Sequence, residues 1–164
     1  MKKLCIIAVL SMITFTSVEA QGTFNGGIHL GIPVGDVSDF SGFNMGVDLS
    51  YLMEIADGLE AGFATGYSHF TGKDVDFGEI SFEAEDFGFI PLAGTARYGF
   101  SDQVFGALDL GYAISTNGGT GGFYYQPKVG YIAEMMDIFA FYKGISANGG
   151  TVASFGVGAA YRFN

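Results

Sequence analysis

The sequence predicts an all-β protein: an eight-stranded antiparallel up-and-down transmembrane β-barrel, preceded by a cleaved signal peptide. Three observations predict it. Apolar residues alternate with small or polar ones, at a period of two, in eight separate segments. The links between segments alternate between short and long, the layout of a barrel that crosses a membrane. No apolar run beyond the first 20 residues approaches the length of a spanning helix, so any crossing falls to strands.

The chain opens MKKLCIIAVLSMITFTSVEAQG. Lys2 and Lys3 form a basic start, Leu4 to about Val18 is apolar, and Val18 and Ala20 stand at −3 and −1 of a cut before Gln21. Residues 1–20 are therefore read as a secretory leader, and 21–164 as one barrel domain. Cys5 is the only cysteine and lies inside the leader, away from the cut. The exported chain then carries no disulfide, and its stability must come from pairing and packing. Without Lys2, Lys3 and Glu19, five basic and 16 acidic residues remain, a net charge near −11. That balance argues against a nucleic-acid partner, which requires a basic face.

The first strand, about 23–33, puts Phe24, Ile28, Leu30 and Ile32 on one face. The second, 43–55, puts Phe43, Met45, Val47, Leu49, Tyr51 and Met53 against Asn44, Gly46, Asp48, Ser50 and Glu54. The third, 59–70, sets Leu59, Phe63 and Tyr67 against Glu60, Gly62, Gly66 and Ser68. The fourth, 86–98, sets Ile90, Leu92 and Tyr98 against Phe89, Thr95 and Arg97. The fifth, 103–114, sets Val104, Leu108, Leu110 and Tyr112 against Ala107, Asp109 and Gly111. The sixth, 123–132, sets Phe123, Tyr125, Val129 and Tyr131 against Tyr124, Gln126 and Lys128. The seventh, 138–146, is read with Phe139 and Phe141 in the apolar set and Tyr142 opposite. The eighth, SFGVGAAYRFN at 154–164, sets Phe155, Val157, Tyr161 and Phe163 against Gly156, Gly158 and Arg162.

Short turns are expected at 56–58, 99–102 and 133–137, and longer links at 34–42, 71–85, 115–122 and 147–150. Hairpin centring then pairs Glu60 with Arg97, Phe63 with Gly94, and Glu54 with Glu60. Around the STNGGTGG link it pairs Asp109 with Lys128 and Tyr112 with Tyr125. Pro91 and Pro127 fall inside strands, where a bulge or a broken ladder bond is expected.

Closure of eight strands leaves an interior that side chains fill. Glu54, Glu60, Arg97, Asp109, Lys128 and Arg162 are therefore read as an interior polar network with a structural role, and the apolar face as the surface against lipid. Tyr98, Phe100, Tyr161 and Phe163 form an aromatic girdle at the short-turn end. Phe43, Tyr67, Tyr112, Phe123 and Tyr125 form one at the other.

With these segments in place, the chain from the leader to Asn164 resembles the small outer-membrane β-barrel proteins of Gram-negative bacteria, of the eight-stranded OmpA/OmpX-like sort. The terminal Tyr161-Arg162-Phe163 looks like the recognition signal for the barrel-assembly machinery. The resemblance implies assembly with that machinery and periplasmic chaperones, outer-membrane lipid around the wall, and short turns on the periplasmic side. It does not imply one function. Lipid A deacylases of this barrel size carry His and Ser as H-x-S on the lipid face; here Ser68-His69-Phe70 puts the two on opposite faces. No catalytic pair, metal motif, cofactor or phosphate loop is read. The acidic stretch 73–86 matches no calcium loop. The expected function is a non-enzymatic outer-membrane barrel with a structural or loop-mediated binding role, its external ligand unknown. The alternatives are a narrow channel, an exported soluble barrel around an apolar ligand, and a lipid-modifying enzyme.

Overall fold

The computed structural model describes residues 22–77, 80–83, 85–147 and 149–163. The leader assigned to residues 1–20 and the terminal Asn164 lie outside them. Ten strands are present among the described residues: β1 (Thr23–Val34), β2 (Ser41–Ala56), β3 (Leu59–Gly72), β4 (Asp74–Phe77), β5 (Ile80–Glu83), β6 (Phe87–Gly99), β7 (Val104–Ser115), β8 (Gly122–Ala133), β9 (Met136–Ala147) and β10 (Gly150–Phe163). Eight of them close into one barrel in the order β1-β10-β9-β8-β7-β6-β3-β2, and β4 and β5 form a separate hairpin. Every barrel pair is antiparallel, including the closing seam of β1 on β10. Each of the eight expected strands is present, with ends moved by only a few residues. The hairpin lies in the link that was read as acidic loop.

The two ends differ as the link lengths imply. Asp57-Gly58, Phe100–Gln103 and Glu134-Met135 turn the chain at one end. Gly58 takes φ 69°, a conformation that glycine adopts without steric cost. At the other end, hereafter the loop end, the helical turn Gly35–Asp39, the β4–β5 hairpin and the glycine-rich 116–121 segment connect the strands.

Registers follow the side-chain pattern with one exception. Glu60 pairs with Arg97 and Phe63 with Gly94, and Glu54 pairs with Glu60. Across β7 and β8 the register is displaced by two residues: Asp109 pairs with Gln126, Ala107 with Lys128 and Tyr112 with Phe123. A slip of two preserves every facing. Glycine-rich loops accommodate such a slip, because link length alone does not fix where the ladder starts.

Both prolines interrupt a ladder. Pairing of β3 with β6 lapses between Thr65–Leu92 and Ser68–Phe89, at the level of Pro91. Thr65 Oγ1 donates to the Pro91 carbonyl there at 2.8 Å. Pairing of β8 with β9 lapses between Tyr125–Gly144 and Lys128–Phe141, at the level of Pro127. Neither gap shifts the register, so each is a broken stretch of ladder rather than a bulge.

Strand β9 corrects the expected sidedness. Phe139 and Phe141 point into the barrel, Phe141 being 1 % exposed, while Tyr142 points outward at 37 % exposed. Ile138 joins Tyr142 on the outer face. The reason lies on β10. Gly156 and Gly158 present no side chain inward, and a Cβ at Gly156 would meet the Phe141 ring at 2.8 Å. The two rings fill the space these glycines leave. Alternation within β9 cannot reveal this, because both of its faces carry aromatic residues.

Facing has a measurable consequence. Phe141→Ala should lower the unfolding free energy by about 3–5 kcal/mol, as for a buried aromatic ring. Tyr142→Ala should cost under about 1.5 kcal/mol. Urea unfolding followed by gel mobility separates the two, and equal losses would contradict the inward placement.

Candidate functional site

The charged side chains of the strands collect inside the barrel in three tiers. The tier nearest the short turns is built on Asp137, the first inward position of β9. Arg97 Nη1 lies 2.6 Å from Asp137 Oδ2, and Arg162 Nη2 lies 2.6 Å from Asp137 Oδ1. Arg97 also reaches Glu60 at 3.4 Å and stacks 3.9 Å over the Phe105 ring. One carboxylate thus takes two guanidinium groups through three hydrogen bonds. The sequence pattern puts Asp137 in the 133–137 turn; the structure puts it in β9, buried. Glu54 departs from expectation in the opposite sense. It pairs with Glu60 along the ladder but is exposed, at the rim, with no ion-pair partner among the described residues. Arg97 on Glu60, with solvent around Glu54, relieves that like-charge pair.

The middle tier is Lys128 Nζ on Asp109 Oδ2 at 2.6 Å. The two residues are not direct neighbours across the ladder; the two-residue slip makes them diagonal, and the long lysine stem spans the difference. The Lys128 ammonium also lies 5.6 Å from the Phe139 ring centroid.

The third tier was not foreseen. His29 of β1, Asp48 of β2, Ser68 of β3 and Lys143 of β9 meet on the barrel axis. His29 Nδ1 is 2.8 Å from Asp48 Oδ2. Lys143 Nζ donates to Ser68 Oγ at 2.5 Å and approaches His29 Nε2 at 2.8 Å. With the ammonium donating, Nε2 accepts and Nδ1 carries the proton toward Asp48, an assignment made from the network. His29 thereby links a lysine and an aspartate that do not touch. Alternation placed each of these residues inward or left it unassigned, but only closure of the sheet brings strands so far apart in sequence together.

The connectivity carboxylate–imidazole–hydroxyl is that of a nucleophilic triad. Two facts oppose that chemistry. Lys143 occupies both His29 Nε2 and the Ser68 hydroxyl. Ser68, His29 and Lys143 are each 2 % exposed or less.

Above this tier, toward the loop end, the interior turns apolar. Phe70, Phe89, Ala93, Ala113, Tyr124 and Ile145 form one buried cluster, completed by Phe87 and Val152. Phe70 stacks on Phe87 with centroids 5.0 Å apart. Tyr124 points its hydroxyl at Gln126 Oε1.

His69 is on the outer face, as its position next to inward Ser68 requires. It bonds Asp86 at 3.1 Å and approaches Tyr67 at 3.4 Å. The Gly72 N–H, with help from His69, holds the Asp86 carboxyl below the usual carboxylate range. This cluster clips β6 to the end of β3. Of the girdle residues, Tyr98, Phe100, Tyr161 and Phe163 all project outward at the short-turn end. Tyr161 and Phe163 pack edge to face at 4.9 Å, as do Tyr98 and Phe100 at 5.4 Å.

The sequence matches no protein-family model, and no curated protein is similar to it. Solved structures are similar in fold. The outer membrane protein Ail of Yersinia pestis, in a phospholipid nanodisc, aligns with TM-score 0.62 at 15 % identity, over 87 % of this chain and 100 % of that one. A de novo designed transmembrane β-barrel aligns with TM-score 0.55 at 13 % identity, over 86 % and 95 %. The N-terminal β-barrel domain of Pseudomonas aeruginosa OprF aligns with TM-score 0.50 at 13 % identity, over 88 % and 98 %. The chain therefore has the fold of the small outer-membrane barrels.

The Asp137 pair sets a test. Asp137→Ala leaves two guanidinium groups without their carboxylate and should cost about 3–5 kcal/mol. Glu54→Ala, at the rim, should stay within about 0.5 kcal/mol. Urea midpoints measured side by side decide it; a Glu54→Ala loss as large as that of Asp137→Ala would place Glu54 in the network after all.

Proposed function

We propose that the protein is an integral outer-membrane β-barrel without enzymatic activity, exported by a leader removed before Gln21. Its wall anchors it, and its loop end serves an envelope-structural or binding role. One observation carries the reading. The outer face presents large apolar side chains on all eight barrel strands, with Ile28, Phe63, Leu92, Val129 and Val157 each more than half exposed, while the arginine and lysine ion pairs lie inside. Water would disfavour that surface by about 25 cal/mol per Å²; lipid would not. Antiparallel closure leaves no unpaired edge, which hydrocarbon requires. In this reading the outward aromatic residues at the two ends sit at the interfaces, and Tyr161-Arg162-Phe163 serves the barrel-assembly machinery.

The alternatives each meet an obstacle. A soluble barrel around an apolar ligand needs roughly 300–1,000 Å³, whereas the two cavities lined by the axial charges measure about 40 and 50 Å³. A channel must pass the buried aromatic cluster around Phe70 and Phe89 in the loop-end half of the interior. An enzyme needs an approach to Ser68, and neither cavity is lined by it.

Ail has been crystallised with the heparin analogue sucrose octasulfate. The loops here oppose a polyanion. Asp36, Asp39, Asp74, Asp76, Glu79, Glu83, Glu85 and Asp86 stand against Lys73 alone. A loop partner of this chain is neutral or basic.

Three measurements test the reading together. In planar bilayers the folded protein should give no steady conductance. A fluorophosphonate should leave Ser68 unlabelled. Protease added to intact cells should cut within 73–86 and spare Asp57-Gly58. Strong conductance would restore the channel, labelling of Ser68 the enzyme, and cleavage at Asp57-Gly58 would invert the orientation.

A further inference from the structure

At the loop end, outside the ion-paired interior, the links enclose a cleft of about 400 Å³. Three segments wall it: the helical turn Gly35–Asp39 with Phe40, the 116–121 segment through Thr120, and the β9–β10 link through Gly149 and Gly150. Thr151 and Val152 at the start of β10 complete it. A space of this size at the mouth of a barrel suits one small ligand, or the end of a larger one.

Two residues of the cleft have features that the fold does not require. Phe40 is fixed through its backbone: its N–H donates to the Val37 carbonyl at 3.1 Å, and its own carbonyl accepts from the Lys73 N–H at 2.9 Å. Its ring is nonetheless 57 % exposed, on the same turn as the buried Val37. A ring on so fixed a backbone has little freedom left to lose when a ligand covers it. Gly149 is the second. A Cβ there would meet nothing within 4 Å, and its φ lies outside the left-handed range, unlike that of Gly150 at 143°. Neither crowding nor conformation calls for glycine at 149. Close approach of a ligand to bare backbone does.

We propose that the cleft binds a neutral sugar ring of a glycan, laid face-on against Phe40 with its hydroxyls toward Thr120, Thr151 and the backbone of Gly149 and Gly150. The class follows by elimination. No ionisable side chain among the described residues lines the cleft. An anion would find no free cation: Lys73, the sole basic residue of the loop-end links, places its ammonium on the Ser38 carbonyl at 3.1 Å. An ammonium or guanidinium group would enter with no carboxylate in the lining to pair it, which is costly. A hydrocarbon tail would cover both threonine hydroxyls and the glycine backbone without replacing their bonds to water. A sugar ring meets each demand. Its slightly positive C–H face suits the negative face of an aromatic ring, and its hydroxyls donate and accept at once.

A sugar here is a ligand for the binding role proposed for the loop end, and so rests on that reading; the two fail separately. Protease cleavage at Asp57-Gly58 on intact cells strikes the orientation of the barrel. Glycan binding by the purified, folded protein strikes the ligand alone.

The folded protein, in dodecylphosphocholine micelles so that no detergent carries a sugar, is applied to an array of neutral, sulfated and sialylated glycans. Binding should favour the neutral ones. In a titration with the best-bound of these, the amide resonances of Gly149, Gly150 and Thr151 should shift. Phe40→Ala should weaken binding at least about tenfold, and Gly149→Leu, which fills the cleft, should abolish it. Both positions are exposed, so each variant should keep the heat-modifiable gel shift of the wild type. A blank array overturns the inference, and so does binding to acidic glycans that equals or exceeds binding to neutral ones. Neutral-glycan binding that survives undiminished in both variants overturns it too, because the ring then sits elsewhere. Should Gly149→Leu not fold, Thr151→Val takes its place beside Phe40→Ala, and undiminished binding in both overturns the inference.

Discussion

Closing eight strands on one another forces every inward side chain into a cylinder too narrow for a second layer of structure. Side chains from opposite walls must fit against each other there, and each charge must find its partner on a neighbouring strand or across the axis. This constraint accounts for the composition of the inward face. Gly156 and Gly158 make room for Phe141 and Phe139. Gly46 lies beside the His29 ring in the same way. Large inward residues lie over their ladder partners on the adjacent strand where those are glycine, so the glycines and the phenylalanines are one feature.

The same constraint organises the electrostatics. In a wide barrel, Arg97, Lys128, Lys143 and Arg162 would each be hydrated. In this one they are pressed onto Glu60, Asp137, Asp109 and the His29–Asp48 link within 2.5–3.4 Å. Their arrangement is graded along the axis. The short-turn half carries most of the paired charges, and the loop half holds the aromatic cluster beside the buried Asn44–Ser154 hydrogen bond. A buried ion pair removed from water contributes little net stability by itself, but losing one partner is costly.

Much of this was legible in the sequence, and the exceptions share a cause. Strand existence, facing on seven strands and the Glu60–Arg97 register depend on local alternation and hairpin geometry, both written in short stretches. Facing on β9 was misread because FAFY is aromatic in both phases; its resolution lies in Gly156 and Gly158, on the neighbouring strand. The slip at β7–β8 arose in a loop of STNGGTGG composition, where nothing pins the start of pairing. Asp137 was assigned to a turn because β9 begins two residues earlier than its apolar pattern does. The His29–Asp48–Ser68–Lys143 cluster joins positions up to 114 residues apart. No spacing rule reaches that far. Ser68 and His69 adjoin in sequence, whereas the histidine that meets Ser68 is the distant His29.

The central claim is that the alternation divides lipid from interior. Its most direct measurement places the protein in nanodiscs containing lipids with a paramagnetic group on the acyl chain, and reads the broadening of assigned methyl resonances. The account predicts strong broadening at Ile28, Leu92, Leu108 and Val157, and little at Leu52 and Ile145. Comparable broadening of the two sets, or the reverse order, would contradict it.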